Sequence, residues 1–191
     1  MKDLLSNIRS CTLCQDILPL QAKPILQASK NCKILIVGQA PGILTHEKGV
    51  PFDDLSGDRL RDWLGVDKKQ FYDTDLFSIL PMSFCYPGKG KSGDKPPIPL
   101  CAQVWRKQLL AQLTNVEFTI ILGKYAVNWH LHQKASITEL ASQWKMFIEK
   151  KQIVLPHPSP RNNIWLKKNQ WFDREVIPIL QAKVHQILAL T

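Results

Sequence analysis

KILIVGQAPG, residues 33–42, joins a short apolar run rich in β-branched residues to a turn of glycine and proline. Five such residues without polar alternation read as a strand buried on both faces, the pattern of a parallel sheet covered by helices. The glycines that follow let the backbone approach a ligand and present its N–H groups. Three more runs share the pattern: Leu76 to Leu80 (LFSIL), Phe118 to Leu122 (FTIIL) and Ile153 to Leu155 (IVL). Between them lie helical spacings over Asp58 to Leu64, Leu100 to Leu113, Lys124 to His132 and Ile137 to Phe147, with a last amphipathic segment from Asp173 to Leu190. The pattern predicts one α/β domain over residues 1–191, a three-layer α/β/α sandwich around a central, mainly parallel four-stranded sheet, with ligands at the carboxyl ends of the strands.

Composition narrows the partner. Twenty-five Lys and Arg against 16 Asp and Glu give a formal charge of +9, which attracts polyanions in a salt-dependent way, although a basic surface also serves solubility alone. No apolar run reaches the roughly 20 residues of a membrane span, and the N-terminus lacks a signal-peptide pattern, so a cytoplasmic, monomeric protein without membrane contact is expected. Five cysteines, an odd number in a reducing compartment, argue against a disulfide framework and raise metal ligation. Tyr86 to Pro99 (YPGKGKSGDKPPIP) reads as a mobile basic loop. Its GKGKS is not a nucleotide-binding loop, because Cys85 stands where the first glycine belongs and prolines follow instead of a helix.

Two segments carry the candidate chemistry. After Gly38-Gln39-Ala40-Pro41-Gly42 comes Gly49-Val50-Pro51-Phe52, whose aromatic ring can stack on a flat base. The last strand runs into Pro156-His157-Pro158-Ser159-Pro160-Arg161-Asn162, a rigid turn that aims an imidazole and a guanidinium from the same sheet edge. Each alone is an ordinary turn. Their order resembles the two signature motifs of the uracil-DNA glycosylase superfamily, and most nearly its iron-sulfur family 4, in which G-E-A-P-G is followed by G-x-P-F at this spacing.

The resemblance implies a DNA-repair glycosylase that flips a damaged or deaminated base out of DNA and hydrolyses its bond to deoxyribose. Phe52 would stack on the base. The loop Gly38, Gln39, Ala40, Pro41 and Gly42, with His157, would bind the base and the charge it carries on leaving. Ser159, Arg161 and Asn162 would meet the DNA, Arg161 either filling the gap of the flipped base or remaining a solvated charge. The resemblance also implies a [4Fe-4S] cluster on Cys11, Cys14, Cys85 and Cys101. Four thiolates suit iron-sulfur or zinc equally on softness, and the wide second spacing is unlike a zinc ribbon. Cys32, before a buried strand, reads as a core residue.

Three positions depart from the family. Gln39 and Ala40 stand where its members place a carboxylate or Asn, and Pro81 aligns with the Asn that reads uracil. A neutral amide can position water but cannot accept its proton. Asp53 and Asp54, directly after Phe52, are candidates for the missing carboxylate, with His46 and Glu47 behind them; a turn or helix-start role is the alternative for the Asp pair. The rival readings are a non-catalytic DNA-binding relative and a metal-bound protein acting on a nucleoside or nucleotide. His130, His132 and His185 read as incidental, since alternate residues of a helix face apart.

Overall fold

The computed structural model describes residues 1–189. In chain order it forms α1 (Lys2–Arg9), β1 (Ile34–Gly38), α2 (Ile43–Lys48), α3 (Leu55–Leu64), α4 (Lys68–Tyr72) and β2 (Phe77–Pro81). A small hairpin, β3 (Lys89–Gly90) and β4 (Gly93–Asp94), precedes α5 (Pro99–Cys101) and α6 (Lys107–Gln112). Then come β5 (Phe118–Leu122), α7 (Gly123–Leu131), α8 (Ile137–Ser142), α9 (Trp144–Glu149), β6 (Gln152–Leu155), α10 (Asn163–Lys168) and α11 (Ile177–Leu188).

The four main strands form one parallel sheet in the order β2-β1-β5-β6. The chain steps outward from β1 to β2 and then returns past β1 to β5, so the winding reverses between β1 and β5. At such a reversal the crossover loops part and leave a crevice at the carboxyl edge.

Strand side chains alternate between two cores, which accounts for the absence of polar alternation. Leu35, Val37, Leu80, Ile121 and Val154 join α1, α7 and α8 through Ile8, Val127 and Leu140. Ile34, Ile36, Phe77, Ile120 and Ile153 join α3 and α11 through Leu60, Leu64, Leu180 and Val184. Helices therefore cover both faces, and each fully buried Leu or Ile contributes about 1.5–3 kcal/mol of transfer free energy. Cys32 is fully buried in the first core.

Several boundaries differ from the sequence reading, each for a local reason. Asp54 caps α3 by accepting hydrogen bonds from Ser56 N at 2.9 Å and Gly57 N at 3.0 Å, so that helix begins before Gly57 and not after it. The segment from Ile137 to Phe147 is two helices broken at Gln143. The last helical stretch begins as a π turn, Phe172–Val176, which absorbs Pro178 in the first turn of α11; Leu190 lies outside the described residues. The basic loop 86–99 contains the β3–β4 hairpin. His185 is structural: with Gln181 it donates to carbonyls at the end of α3, His185 Nε2 to Gly65 O at 2.6 Å.

Candidate active site

A cleft of about 520 Å³ opens at the carboxyl edge of the sheet, and its walls come from four separate segments. One is the loop Gly38 to Gly42 after β1, another Phe52 and Asp54 before α3. A third is the hairpin around Asp94, and the fourth the turn from His157 to Asn162 after β6. Pro81, the last residue of β2, lies in the floor. Residues more than a hundred positions apart meet because all four strands point the same way.

Phe52 has a left-handed backbone, φ 56°, a conformation that costs a non-glycine residue about 1–3 kcal/mol unless its surroundings enforce it. Here they do. Its carbonyl accepts a hydrogen bond from Arg61 Nη1 at 3.2 Å, and the preceding carbonyl, of Pro51, accepts from Tyr72 Oη at 2.9 Å. The Arg61 guanidinium lies over the rings of Phe71 and Tyr72, 5.4 and 5.9 Å from their centroids, and pairs with Asp58. Gly57 completes the clamp, since a Cβ there would stand 1.7 Å from Phe52 O. The Phe52 ring is thereby set edge-on to Phe71 and 6.4 Å from the His157 ring, tilted 32°. Arg61 and Tyr72 act on the site only through this backbone, so nothing in their local sequence marked them; Gly57 falls in register with the family pattern, and its role as the clamp comes from the fold.

His157 is held in one tautomer. Its Nδ1 accepts from Ser159 N at 3.2 Å, which puts the proton of the neutral ring on Nε2. Burial pushes its pKa below the ordinary histidine range, Asp54 opposes that shift, and Arg161 adds to it. The site thus contains a neutral imidazole whose Nε2 is a donor. The turn is braced by Asn162, which donates to His157 O at 2.7 Å, and by Arg59 of α3, whose Nη1 donates to Ser159 O at 3.1 Å. Ser159 Oγ accepts from Arg161 N at 3.3 Å. Asn162 and Ser159 therefore shape the turn itself, while the exposed Arg161 guanidinium lies against Gly93 of the hairpin.

The four carboxylate-region candidates separate. Asp53 does not line the cleft; its carboxylate pairs with Lys68 at 2.7 Å and Lys48 at 3.2 Å, and hydrogen bonds from those lysines hold its pKa below the usual range. Asp54 does line it, with one oxygen committed to the α3 cap. His46 and Glu47 lie on α2 outside the lining, their carbonyls accepting from Lys23 Nζ. Gln39 lines the cleft, but its Nε2 donates to Lys95 O at 3.0 Å across to the hairpin. Asp53→Asn is expected to leave any base release within about twofold of wild type, because an exposed ion pair contributes little. A timed release assay beside Asp54→Asn checks this.

Cys11, Cys14, Cys85 and Cys101 line a second, small and apolar pocket with Phe84 and Trp105. Burial raises the thiol pKa of Cys85 to about 11 and of Cys101 to about 12, and the neighbouring cysteines add to both shifts. Phe84 N donates to Cys101 Sγ at 3.4 Å. Among the described residues no three His, Cys, Asp or Glu side chains converge as ligands of a single ion; the four sulfurs ring a pocket instead.

Arg106 ties this pocket to the cleft and was not foreseen. It is 1% exposed, follows Cys101 across a π turn, and its Nη2 donates to the carbonyls of Leu80 and Pro81 at the end of β2. Its Nη1 meets His130 Nε2 at 3.2 Å, and burial lowers the His130 pKa to about 3, so that ring is a neutral acceptor. Burying a guanidinium requires partners of this kind. His132 is exposed at the end of α7.

Among the described residues no helix is long and apolar enough to cross a membrane. The family model of the uracil DNA glycosylase superfamily matches residues 26–181 of the chain, which takes in the sheet and every wall of the cleft.

Proposed function

The chain belongs to the uracil DNA glycosylase superfamily, and from that premise we propose that it is a DNA-repair glycosylase that hydrolyses the N-glycosidic bond of uracil or another deaminated base flipped out of DNA. One observation carries the reading: the cleft brings the clamped Phe52 ring, the Nε2 donor of His157 and the backbone of residues 38–42 around one space. A flipped base stacks on Phe52 and receives hydrogen bonds from the loop and from His157. As the bond to C1′ breaks, the electron pair moves onto the base, and a neutral Nε2–H meets that charge without first losing a proton. Asp54, beside His157, lends negative charge to the electron-poor sugar. Arg161 on the rim pairs with phosphate or fills the vacated stack.

The test is base release from duplex and single-stranded oligonucleotides carrying uracil, hypoxanthine, xanthine, or thymine opposite guanine. Release from one of them supports the reading, and salt-sensitive binding without release from any favours a non-catalytic DNA-binding protein instead. The Gln39 amide, spent on Lys95 O, is the observation on the side of that second reading.

Cys11, Cys14, Cys85 and Cys101 are proposed to hold a [4Fe-4S] cluster. The fit rests on an all-sulfur donor set around an apolar pocket and on an N–H directed at Cys101 Sγ. Bound there, a cluster would take four thiolates and tie the N-terminal segment to the end of β2 and to α5, displacing protons from thiols that burial keeps protonated. Protein purified without oxygen is expected to carry about four irons per chain with broad absorption near ~400 nm. Cys85→Ala is expected to lose both, and stoichiometric zinc without iron in the wild type would overturn the assignment.

A further inference from the structure

Hydrolysis at C1′ consumes a water, and that water must lose a proton to some base. The side chains lining the cleft include two carboxylates, Asp54 and Asp94. Asp54 Oδ1 already accepts two backbone N–H groups at the start of α3. Asp94 comes from the hairpin, where its backbone lies opposite Lys89, far from both sequence motifs; among the described residues its carboxylate has no hydrogen-bond or ion-pair partner, and Arg161 is the charge that acts on it. Its Oδ2 turns toward the loop after β1, where a Cβ built on Gly42 would stand 3.4 Å from it.

The hairpin is fastened where this carboxylate needs it. Gln39 Nε2 donates to Lys95 O, one residue beyond Asp94, and Lys95 N donates to Gly88 O at 2.8 Å. On the other side Gly93, at φ 117°, leaves room for the Arg161 guanidinium, which a side chain there would strike. A strand-end amide that cannot accept a proton therefore positions a carboxylate that can.

We propose that Asp94 is the catalytic base of this cleft and that Gln39 is its positioning residue. The proposal rests on the glycosylase reading. Water attacks C1′, the C1′–N bond breaks with its electrons leaving on the base, and the water proton passes to Asp94. His157 Nε2–H stabilises the departing anion, which then takes a proton from solvent as Asp94 returns its own. One water is consumed, and a free sugar hydroxyl and a protonated base are formed. Asp94 is exposed at the end of the hairpin; desolvation by the facing walls of the cleft still raises its pKa and Arg161 opposes the rise, the direction that makes a carboxylate a better proton acceptor.

The experiment uses the full chain and the duplex that the wild type cleaves fastest, with Asp94→Ala and Asp94→Asn. Single-turnover release is expected to fall about a hundredfold in both, the lower end of what a general base supplies. DNA affinity by fluorescence anisotropy is expected to stay within about threefold, a loss in rate and not in binding. Added formate, a small carboxylate, is expected to restore release in Asp94→Ala, which a merely structural role would not allow. Unchanged release in both variants overturns the proposal and leaves the glycosylase reading standing. So does a loss matched by lost affinity with no response to formate. Absence of release by the wild type from every duplex sinks the glycosylase reading, and the role of Asp94 with it.

Discussion

His157→Ala slows base release about a thousandfold, the upper range for removing one donor to a developing anion. The expectation follows from how the ring is prepared. Ser159 N occupies Nδ1, so Nε2 bears the proton, and burial keeps the ring neutral by lowering its pKa. A neutral donor needs no proton from solution, so the His157 contribution should persist as pH falls below the ordinary histidine value of about 6.5 and be lost only at the depressed pKa, with protonation of Asp94 adding its own loss of rate on the acid side. Stability carries the same sign. A histidine whose folded pKa is depressed stabilises the protein fully above the unfolded pKa, and that contribution is lost as pH falls below it. Single-turnover rates and thermal melts across pH, wild type beside His157→Ala, read both effects. Release unaltered in the variant would remove His157 from the chemistry.

Gly57→Ala is the second large effect. The added methyl would stand 1.7 Å from Phe52 O, 2.6 Å from Phe52 C and 2.9 Å from Phe52 Cβ. No side-chain rotation relieves a clash with backbone, so either α3 loses its first turn or Pro51–Phe52 moves. Both break the hydrogen bond from Arg61 to Phe52 O. A destabilisation of about 1–3 kcal/mol is expected from such overpacking, a fall in Tm of about 2–4 °C for each kcal/mol in a chain of this size. Base release should fall further than the stability loss explains, because the displaced ring is the surface on which the base stacks. Differential scanning calorimetry and single-turnover release separate the two. A variant with wild-type Tm and rate would mean that the loop does not need this close approach.

The fold was readable because its signal is local. LFSIL and FTIIL lack polar alternation because each strand residue enters one of two cores, and both cores form. Helix ends were less readable where a polar side chain chose between roles. The sequence left Asp54 open between a catalytic carboxylate and a helix-start role; it is the cap of α3, which places Gly57 inside the helix and against Phe52. The motif residues His157, Phe52 and Gly38 to Gly42 were all found in the sequence, and the structure brings them to one cleft. Asp53, adjacent to Asp54, faces two lysines outside it, since neighbouring residues at a helix start point in different directions.

Sequence by itself determined the parallel sheet, the edge on which its loops act, the aromatic and the imidazole that flank the cleft, and the four cysteines that share a pocket. The sheet and its working edge follow from periodicity and turn chemistry, whereas the pairing of Phe52 with His157 and the grouping of the four cysteines came from the resemblance to the glycosylase motifs. Tertiary structure alone decided which carboxylates reach the cleft, the tautomer of His157, and the part played by Arg61 and Arg106. Each of those depends on a partner distant in the chain: Gln39 with Lys95, Arg61 with Phe52 O, Arg106 with the carbonyls that end β2. A hydrogen bond to a backbone carbonyl carries no requirement on the identity of the residue that accepts it. No pattern of side chains could have announced these pairs before the strands were laid side by side.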